Sequence, residues 1–244
     1  FGPFEVTDCN ESGILDVCDI DCASQGIPGC LILDLCAAQP GCSFSEDCNA
    51  NLQPDECDLD QGLSEDCNIN QSPDECEPFK HWSGGDTLNP TWWHLSGNWE
   101  EGAAPTVMDE VCIAAGLSSP QLRQNAYTIG TLACYQDLEV TGGSLSVSAP
   151  FPSFVQGDLD MSGLGVFQVA SGATLDVFGM LRISGNNATL RGGGTTRAWA
   201  GMEIGLNLPI IDNGHHIENL GVATATGGLI LSNGSEYTNR PGAL

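Results

Sequence analysis

The stretch Asp47-Cys48-Asn49-Ala50-Asn51-Leu52-Gln53-Pro54-Asp55-Glu56-Cys57-Asp58 recurs nineteen residues later, almost unchanged, as Asp66 to Glu77. Counted from its first Asp, each copy carries side-chain oxygens at positions 1, 3, 5, 9 and 12, the places where an EF-hand-type calcium loop draws ligands, with a backbone carbonyl at position 7. The first copy offers Asp47, Asn49, Asn51, Asp55 and Asp58, with Gln53 at position 7. The second offers Asp66, Asn68, Asn70, Asp74 and Glu77, with Ser72 at position 7. A third copy opens the chain with Asp8, Asn10, Ser12, Asp16 and Asp19, Ile14 at position 7 and Gly13 at the sharpest point of the turn. Cysteines stand at positions 2 and 11 of all three. The expected ligand is Ca2+.

Charge and cysteine usage narrow the setting. The 244 residues carry a net charge of −26 with only six Lys and Arg, which excludes a nucleic-acid partner that would need cations for its phosphates. Residues 1–80 hold 18 of the 32 carboxylates, ten of the twelve cysteines and one basic residue, Lys80. A solvated, disordered acidic segment is the plain alternative, but these carboxylates sit at ligand spacing, not in blocks. The cysteine density marks a disulfide scaffold in an oxidising compartment, hence a secreted protein of the cell exterior or surface. Zinc is disfavoured because there is no C-x-x-C pair and the four histidines all lie outside this segment. No apolar run is long enough to span a bilayer, and the chain does not begin with Met, which suggests a processed chain or a piece of a longer one.

A degenerate repeat lies between the copy that opens the chain and the one at 47–58, where Ile32-Leu33-Asp34-Leu35-Cys36 echoes Ile14-Leu15-Asp16-Val17-Cys18 but positions 1, 3 and 12 would be Gly26, Pro28 and Ala37. It reads as a disulfide-held spacer. Over residues 8–77 the array resembles thrombospondin type 3 repeats, the loops of dockerin modules and the D-C-N-x-N-x-x-P-D-E-C repeats of bacterial surface proteins. The resemblance implies calcium at all three intact loops. Asn replaces Asp at several ligand positions, and Gly at position 6 is kept only in the loop that opens the chain, as Gly13. Affinity is therefore expected at the weak end, roughly 10⁻⁵ to 10⁻³ M, suited to extracellular calcium.

Residues 81–105 form a Trp-rich junction with Trp82, Trp92, Trp93 and Trp99. It reads either as a hydrophobic plug over the open end of the next region or as a platform on which sugars stack. From residue 106 to 244 the texture changes to short alternating segments such as Gly143-Ser144-Leu145-Ser146-Val147, Gly165-Val166-Phe167-Gln168-Val169 and Gly179-Met180-Leu181-Arg182-Ile183. Such alternation predicts short strands with one buried face, punctuated by Gly, Asn and Ser turns. A sandwich is the alternative, but strands this short and Gly-studded suit a parallel β-helix of about six turns at about 20 to 25 residues each. The expected fold class is thus all-β, a solenoid preceded by a disulfide-rich, calcium-binding loop array over residues 1–80. Gly97-Asn98-Trp99, Pro105 and Asp109-Glu110-Val111-Cys112-Ile113 resemble the opening of the β-helical passenger segments of autotransporters and related bacterial surface proteins.

β-Helices also carry polysaccharide lyases and hydrolases. Here Asp158 and Asp160 share a strand face, and Asp176 is expected to stack near them beside Arg182. That set reads either as a polar outer face or as a lyase-like site; no nucleophile elbow is present. His215-His216 reads as a surface turn after Asn213-Gly214, and Cys112 and Cys134, one expected turn apart, are candidates for a disulfide across rungs. No convergent catalytic set stands out, so a non-enzymatic, structural role is expected, as part of a cell-surface stalk or extracellular fibre. The apolar lead Phe1-Gly2-Pro3-Phe4-Glu5-Val6 and an end at Asn239 to Leu244 without a polar cap suggest head-to-tail self-association into a filament. The rival readings are a polysaccharide-processing enzyme and a glycan-binding adhesion module.

Overall fold

This computed structural model describes Cys9 and residues 45–244 apart from Leu52, Asn70, Met108, Asn186 and Leu244. The loop at 8–19 and the degenerate repeat therefore lie outside the described residues, save for Cys9. Two compact units divide the chain at Pro78 and Phe79.

Unit two, residues 79–244, is a right-sized answer to the short-strand pattern: a parallel β-solenoid of about six turns with three faces. The first face is a sheet of β1 (Phe79–His81), β2 (Glu110–Ile113), β5 (Leu132–Cys134), β8 (Ser153–Val155), β11 (Thr174–Val177), β14 (Thr195–Ala198), β17 (His216–Asn219) and β20 (Glu236–Asn239). The second stacks β3 (Gln121–Leu122), β6 (Leu138–Val140), β9 (Leu159–Met161), β12 (Leu181–Ile183), β15 (Gly201–Ile204) and β18 (Val222–Ala225). The third stacks β4 (Ala126–Ile129), β7 (Ser144–Val147), β10 (Val166–Val169), β13 (Thr189–Arg191), β16 (Ile210–Asp212) and β19 (Ile230–Leu231). All strand pairs within these sheets are parallel.

Register explains the repeat. One inward position of the first face steps through Val111, Leu132, Leu175 and Ile217, with Ser153 and Thr196 between them. On the second face Leu138, Leu159, Leu181 and Met202 form the matching column. On the third it is Tyr127, Leu145, Phe167, Leu190 and Ile211. Because side chains alternate across a strand, the polar residues between them face outward, and each new turn buries apolar surface on the one before. Nearly every member of these columns is fully buried. Turns between faces need left-handed backbone; at Gly143 (φ 75°) a Cβ would also run into the backbone of Gln124 and Asn125 on the preceding turn.

The Trp-rich segment belongs to this unit. Trp82, Trp93 and Trp99 are buried and continuous with the solenoid core, with Trp93 edge-on to Trp99 at 4.9 Å and Trp82 edge-on to Trp99 at 5.1 Å. Trp99 Nε1 donates to the Trp93 carbonyl and Trp82 Nε1 to the Ser118 carbonyl. These rings are therefore packed against protein and not laid open as a sugar platform. Asn98, buried among them, donates from Nδ2 to the carbonyls of Asn89 and Trp92 and accepts the Asp86 N–H at Oδ1. The Gly97-Asn98-Trp99 motif is thus a polar pin through an aromatic plug.

Three expectations are corrected. Cys112 lies opposite Ala133 and Cys134 opposite Ile113, so the two cysteines point to opposite sides of their sheet and do not pair. Cys112 is disulfide-bonded, while Cys134 is a free thiol, buried and pushed up to about 12 by that burial. His215 is not a surface turn residue: it is fully buried, with Nδ1 against the Gly192 carbonyl and Nε2 against Thr196 Oγ1. Asp176 lies in the first-face sheet, away from Asp158 and Asp160 beside the second-face strand β9.

Candidate metal centre

Unit one is described by itself from Ser45 to Pro78, together with Cys9. Residues 45–77 hold eleven carboxylates and no Lys, Arg or His. The two loops share at least three hydrogen bonds at matching positions. The position 9 amide donates to the carbonyl preceding the loop at 2.8 Å in both, Asp55 to Glu46 and Asp74 to Glu65. The position 2 amide donates to the position 9 carboxylate at 2.9 Å in both, Cys48 to Asp55 Oδ1 and Cys67 to Asp74 Oδ1. The position 3 amide group reaches the position 12 carboxylate, Asn49 to Asp58 at 3.0 Å and Asn68 to Glu77 at 3.3 Å. Chance similarity of sequence does not reproduce such a network; two loops of one structural type do.

The backbone is bent where such a loop has to turn. Ala50 (φ 59°) and Ile69 (φ 58°) at position 4 are left-handed, and so is Gln71 (φ 73°) at position 6 of the second loop. Position 6 therefore keeps the glycine-like conformation after losing the glycine. A β-branched residue such as Ile69 adopts it at a cost on the order of 1–3 kcal/mol, which the surrounding bonds must offset.

Within the first loop the ligand residues converge. Asn49 Nδ2 and Asn51 Nδ2 both donate to Asp58 Oδ2, at 3.0 and 2.8 Å. The Asn51 amide donates to Asp47 Oδ1 at 3.1 Å and to Asn49 Oδ1 at 3.0 Å, and the Gln53 amide donates to Asn51 Oδ1 at 2.8 Å. Asp47 Oδ1, Asn49 Oδ1 and Asn51 Oδ1 each keep a second lone pair after accepting one backbone amide, whereas Asp58 Oδ2 accepts two side-chain amides. Asp47 and Asp58 are fully buried, and Asp58 Oδ1 has no hydrogen-bond donor among the described residues. A buried carboxylate oxygen with neither donor nor counter-ion is costly. A divalent cation removes that cost, so the residues present fit calcium, which would supply the missing charge and accept oxygens only. Asp55 reports the same crowding: burial raises its carboxyl above the usual range, and Asp47, Asp58 and Glu46 push it further, against the Cys48 amide. Its Oδ1 already holds that amide, so position 9 shapes the loop first.

The second loop differs at its exit. In the first, α1 (Asp55–Asp60) carries Asp58 on a helix entered through Pro54. In the second only a 3-10 turn, Asp74–Cys76, forms, and Glu77 is extended at φ −121°, ψ 161°. Pro78 is the cause, because a residue preceding proline is driven out of the helical region. The longer Glu77 side chain still brings its Oε2 back to Asn68. Asp66 accepts the Gln71 amide at 2.8 Å, Asp74 is buried, and Ser72 is half-buried; Asn70 lies outside the described residues. Asp8, Asn10, Ser12, Ile14, Asp16 and Asp19 do so as well.

The disulfides join copies to each other. Cys9, at position 2 of the opening loop, is bonded to Cys57 at position 11 of the next intact one, and Cys48 at position 2 is bonded to Cys76 at position 11 of the last. Glu75 ties the same two loops by accepting from Asn49 at 3.3 Å, and it also accepts from Ser64, in the link between them, at 2.5 Å. Spacing alone could not reveal this, since cysteines at positions 2 and 11 of one loop look like natural partners.

The solenoid holds the other cluster considered. Arg182 sits on β12 with its guanidinium 2.5 Å from Asp158, 3.4 Å from Asp160 and 3.5 Å from Glu203. Its hydrogen bond to Asp158 raises an already high pKa, the opposite of what a lyase base requires. No helix among the described residues is long and apolar enough to cross a membrane. No protein-family model matches this chain, and no curated protein or solved structure matches it, so the reading of its site rests on the geometry above.

Proposed function

We propose that the chain is a calcium-stabilised structural segment of an extracellular stalk or fibre at a cell surface. The observation that carries this reading is Asp58, whose fully buried carboxylate leaves Oδ1 without a donor among the described residues, in a stretch, 45–77, that has no Lys, Arg or His. Calcium and disulfides together hold short loops that bury too little apolar surface to stand alone. Disulfides at this density persist where the surroundings are oxidising, which favours the cell exterior. The solenoid supplies length and rigidity, and self-association of such subunits end to end would build a fibre. A lyase reading is disfavoured because Arg182, the base it would use beside Asp158 and Asp160, is locked among three carboxylates.

Calorimetric titration of the intact protein with calcium tests the reading. Heat of binding with a Kd in the extracellular range is expected, and Asp58→Asn and Asp66→Ala should each remove one site. Electron micrographs with and without a chelator should show extended particles that lose regularity in the array. Absence of calcium uptake by the folded protein would defeat the metal reading, and a globular monomer at every concentration would defeat the fibre.

A further inference from the structure

The outer side of the first-face sheet carries a feature that the calcium reading does not use. Tyr135, Phe154, Phe178 and Trp199 line up along it, with Tyr135 edge-on to Phe154 at 5.1 Å and Phe178 stacked on Trp199 at 5.9 Å and 19°. Unlike the junction tryptophans, the last two are open to solvent, Phe178 at 40 % and Trp199 at 42 % exposure. The aromatic row then stops, because the residues that follow Trp199 turn by turn are Leu220 and Arg240. A shallow open groove of about 570 Å³ lies at that step, lined by Trp199, Arg197, Glu218, Leu220 and Arg240 among others.

The polar rim of the groove is tied down. Trp199 Nε1 donates to Asp176 Oδ1 at 2.8 Å, which fixes the plane of the indole. Arg197 stands in register between Asp176 and Glu218 on the neighbouring turns and pairs with Asp176 at 3.5 Å. Arg240 pairs with Glu218. Arg197, Arg240 and Glu218 line the groove, and the buried Asp176 behind Arg197 brings the charge of this set of four to zero, in a chain whose overall charge is −26 and which has only six Lys and Arg.

We infer that this groove binds a neutral polysaccharide chain, with a pyranose ring laid against Trp199. The C–H faces of a sugar ring are apolar and flat and suit an exposed aromatic ring, while its hydroxyls both donate and accept, as the paired acids and guanidinium groups do. Because those side chains are already held by one another, binding orders little that was free, which favours affinity from a small contact. Charge selects the neutral class: the local sum is zero, and the field of a strongly acidic protein repels an anionic glycan. This site is independent of the calcium loops, so either reading can fail without the other.

The test is titration of the whole protein, in calcium, with soluble cello-, laminari- and xylo-oligosaccharides, and with an oligogalacturonate as the anionic counterpart. At least one neutral series should bind at millimolar concentration or below, and binding should not need the array to be metal-loaded. Trp199→Ala should weaken it about tenfold or more while the solenoid keeps its strand signal in circular dichroism. Trp199→Phe should weaken it less, because an aromatic face remains while the hydrogen bond to Asp176 is lost. Three results would overturn the inference: no neutral oligosaccharide binds, binding is indifferent to Trp199→Ala, or the oligogalacturonate binds more tightly than every neutral series.

Discussion

Cys48 is disulfide-bonded to Cys76 of the following loop, and not to Cys57, which closes its own. Each bond therefore staples one copy of the loop to another, so that ordering one copy restrains its neighbour. Cross-links of this kind act chiefly on the unfolded chain by shortening it.

Peptide mapping of the unreduced protein should recover Cys9 with Cys57 and Cys48 with Cys76. Replacing Cys48 and Cys76 together by Ser releases a loop spanning 28 residues and should cost about 3.6 kcal/mol in the chain-entropy account. Calcium affinity at both loops should fall with it, read by calorimetry, while the solenoid keeps its strand signal in circular dichroism.

Asp55 makes a prediction about pH. Burial and the neighbouring carboxylates raise its folded pKa above the unfolded value. A raised carboxyl is favourable to folding below its unfolded pKa, and that contribution is lost as pH rises through the folded value. In chelator, then, the loops should be less protected from hydrogen exchange at neutral pH than in mild acid. Calcium should reverse this. Asp55→Asn keeps an oxygen for the Cys48 amide and removes the charge, so in chelator it should be better protected than the parent at neutral pH.

His215 moves in the opposite direction. Burial, and then the neighbouring His216, lower its pKa to about 4. The unfolded chain takes up a proton near pH 6.5 while the folded one does not, so stability is full above that value and falls as pH drops towards 4. The loss approaches about 3 kcal/mol at the bottom of the window. Melting curves of the solenoid from pH 7 to pH 4 should show it, and His215→Gln, which carries no titrating group, should flatten that part of the profile.

Asn98 holds the aromatic plug. Asn98→Ala leaves the carbonyls of Asn89 and Trp92 and the amide of Asp86 without their partner, which should cost about 3 kcal/mol. Asn98→Asp should be no better, since it exchanges two donors for a buried charge. Chemical denaturation followed by tryptophan emission reads both, because Trp82, Trp93 and Trp99 pack around this residue.

Much of this protein is legible in its residues taken in order. Alternation at Gly165 to Val169 or Gly179 to Ile183 dictates a strand with one buried face, because side chains of an extended chain point alternately to either side. Repetition at near-constant spacing then dictates a solenoid, since no single short strand can bury its apolar face without an identical neighbour. The spacing of oxygens in residues 47–58 and 66–77 likewise marks two loops of one kind, and Pro78 by itself ends the second before a helix can form. Tertiary structure decided the rest. Register settled that Cys112 and Cys134 face opposite ways, because a shift of one residue along a strand changes the face. Three-dimensional packing buried His215, Trp82, Trp93 and Trp99, left Trp199 open, and sent Asp176 to Arg197 instead of Arg182. It also chose which cysteines meet, for partners distant along the chain are brought within bonding reach only by the fold of both copies together, and nothing local to either loop encodes that meeting.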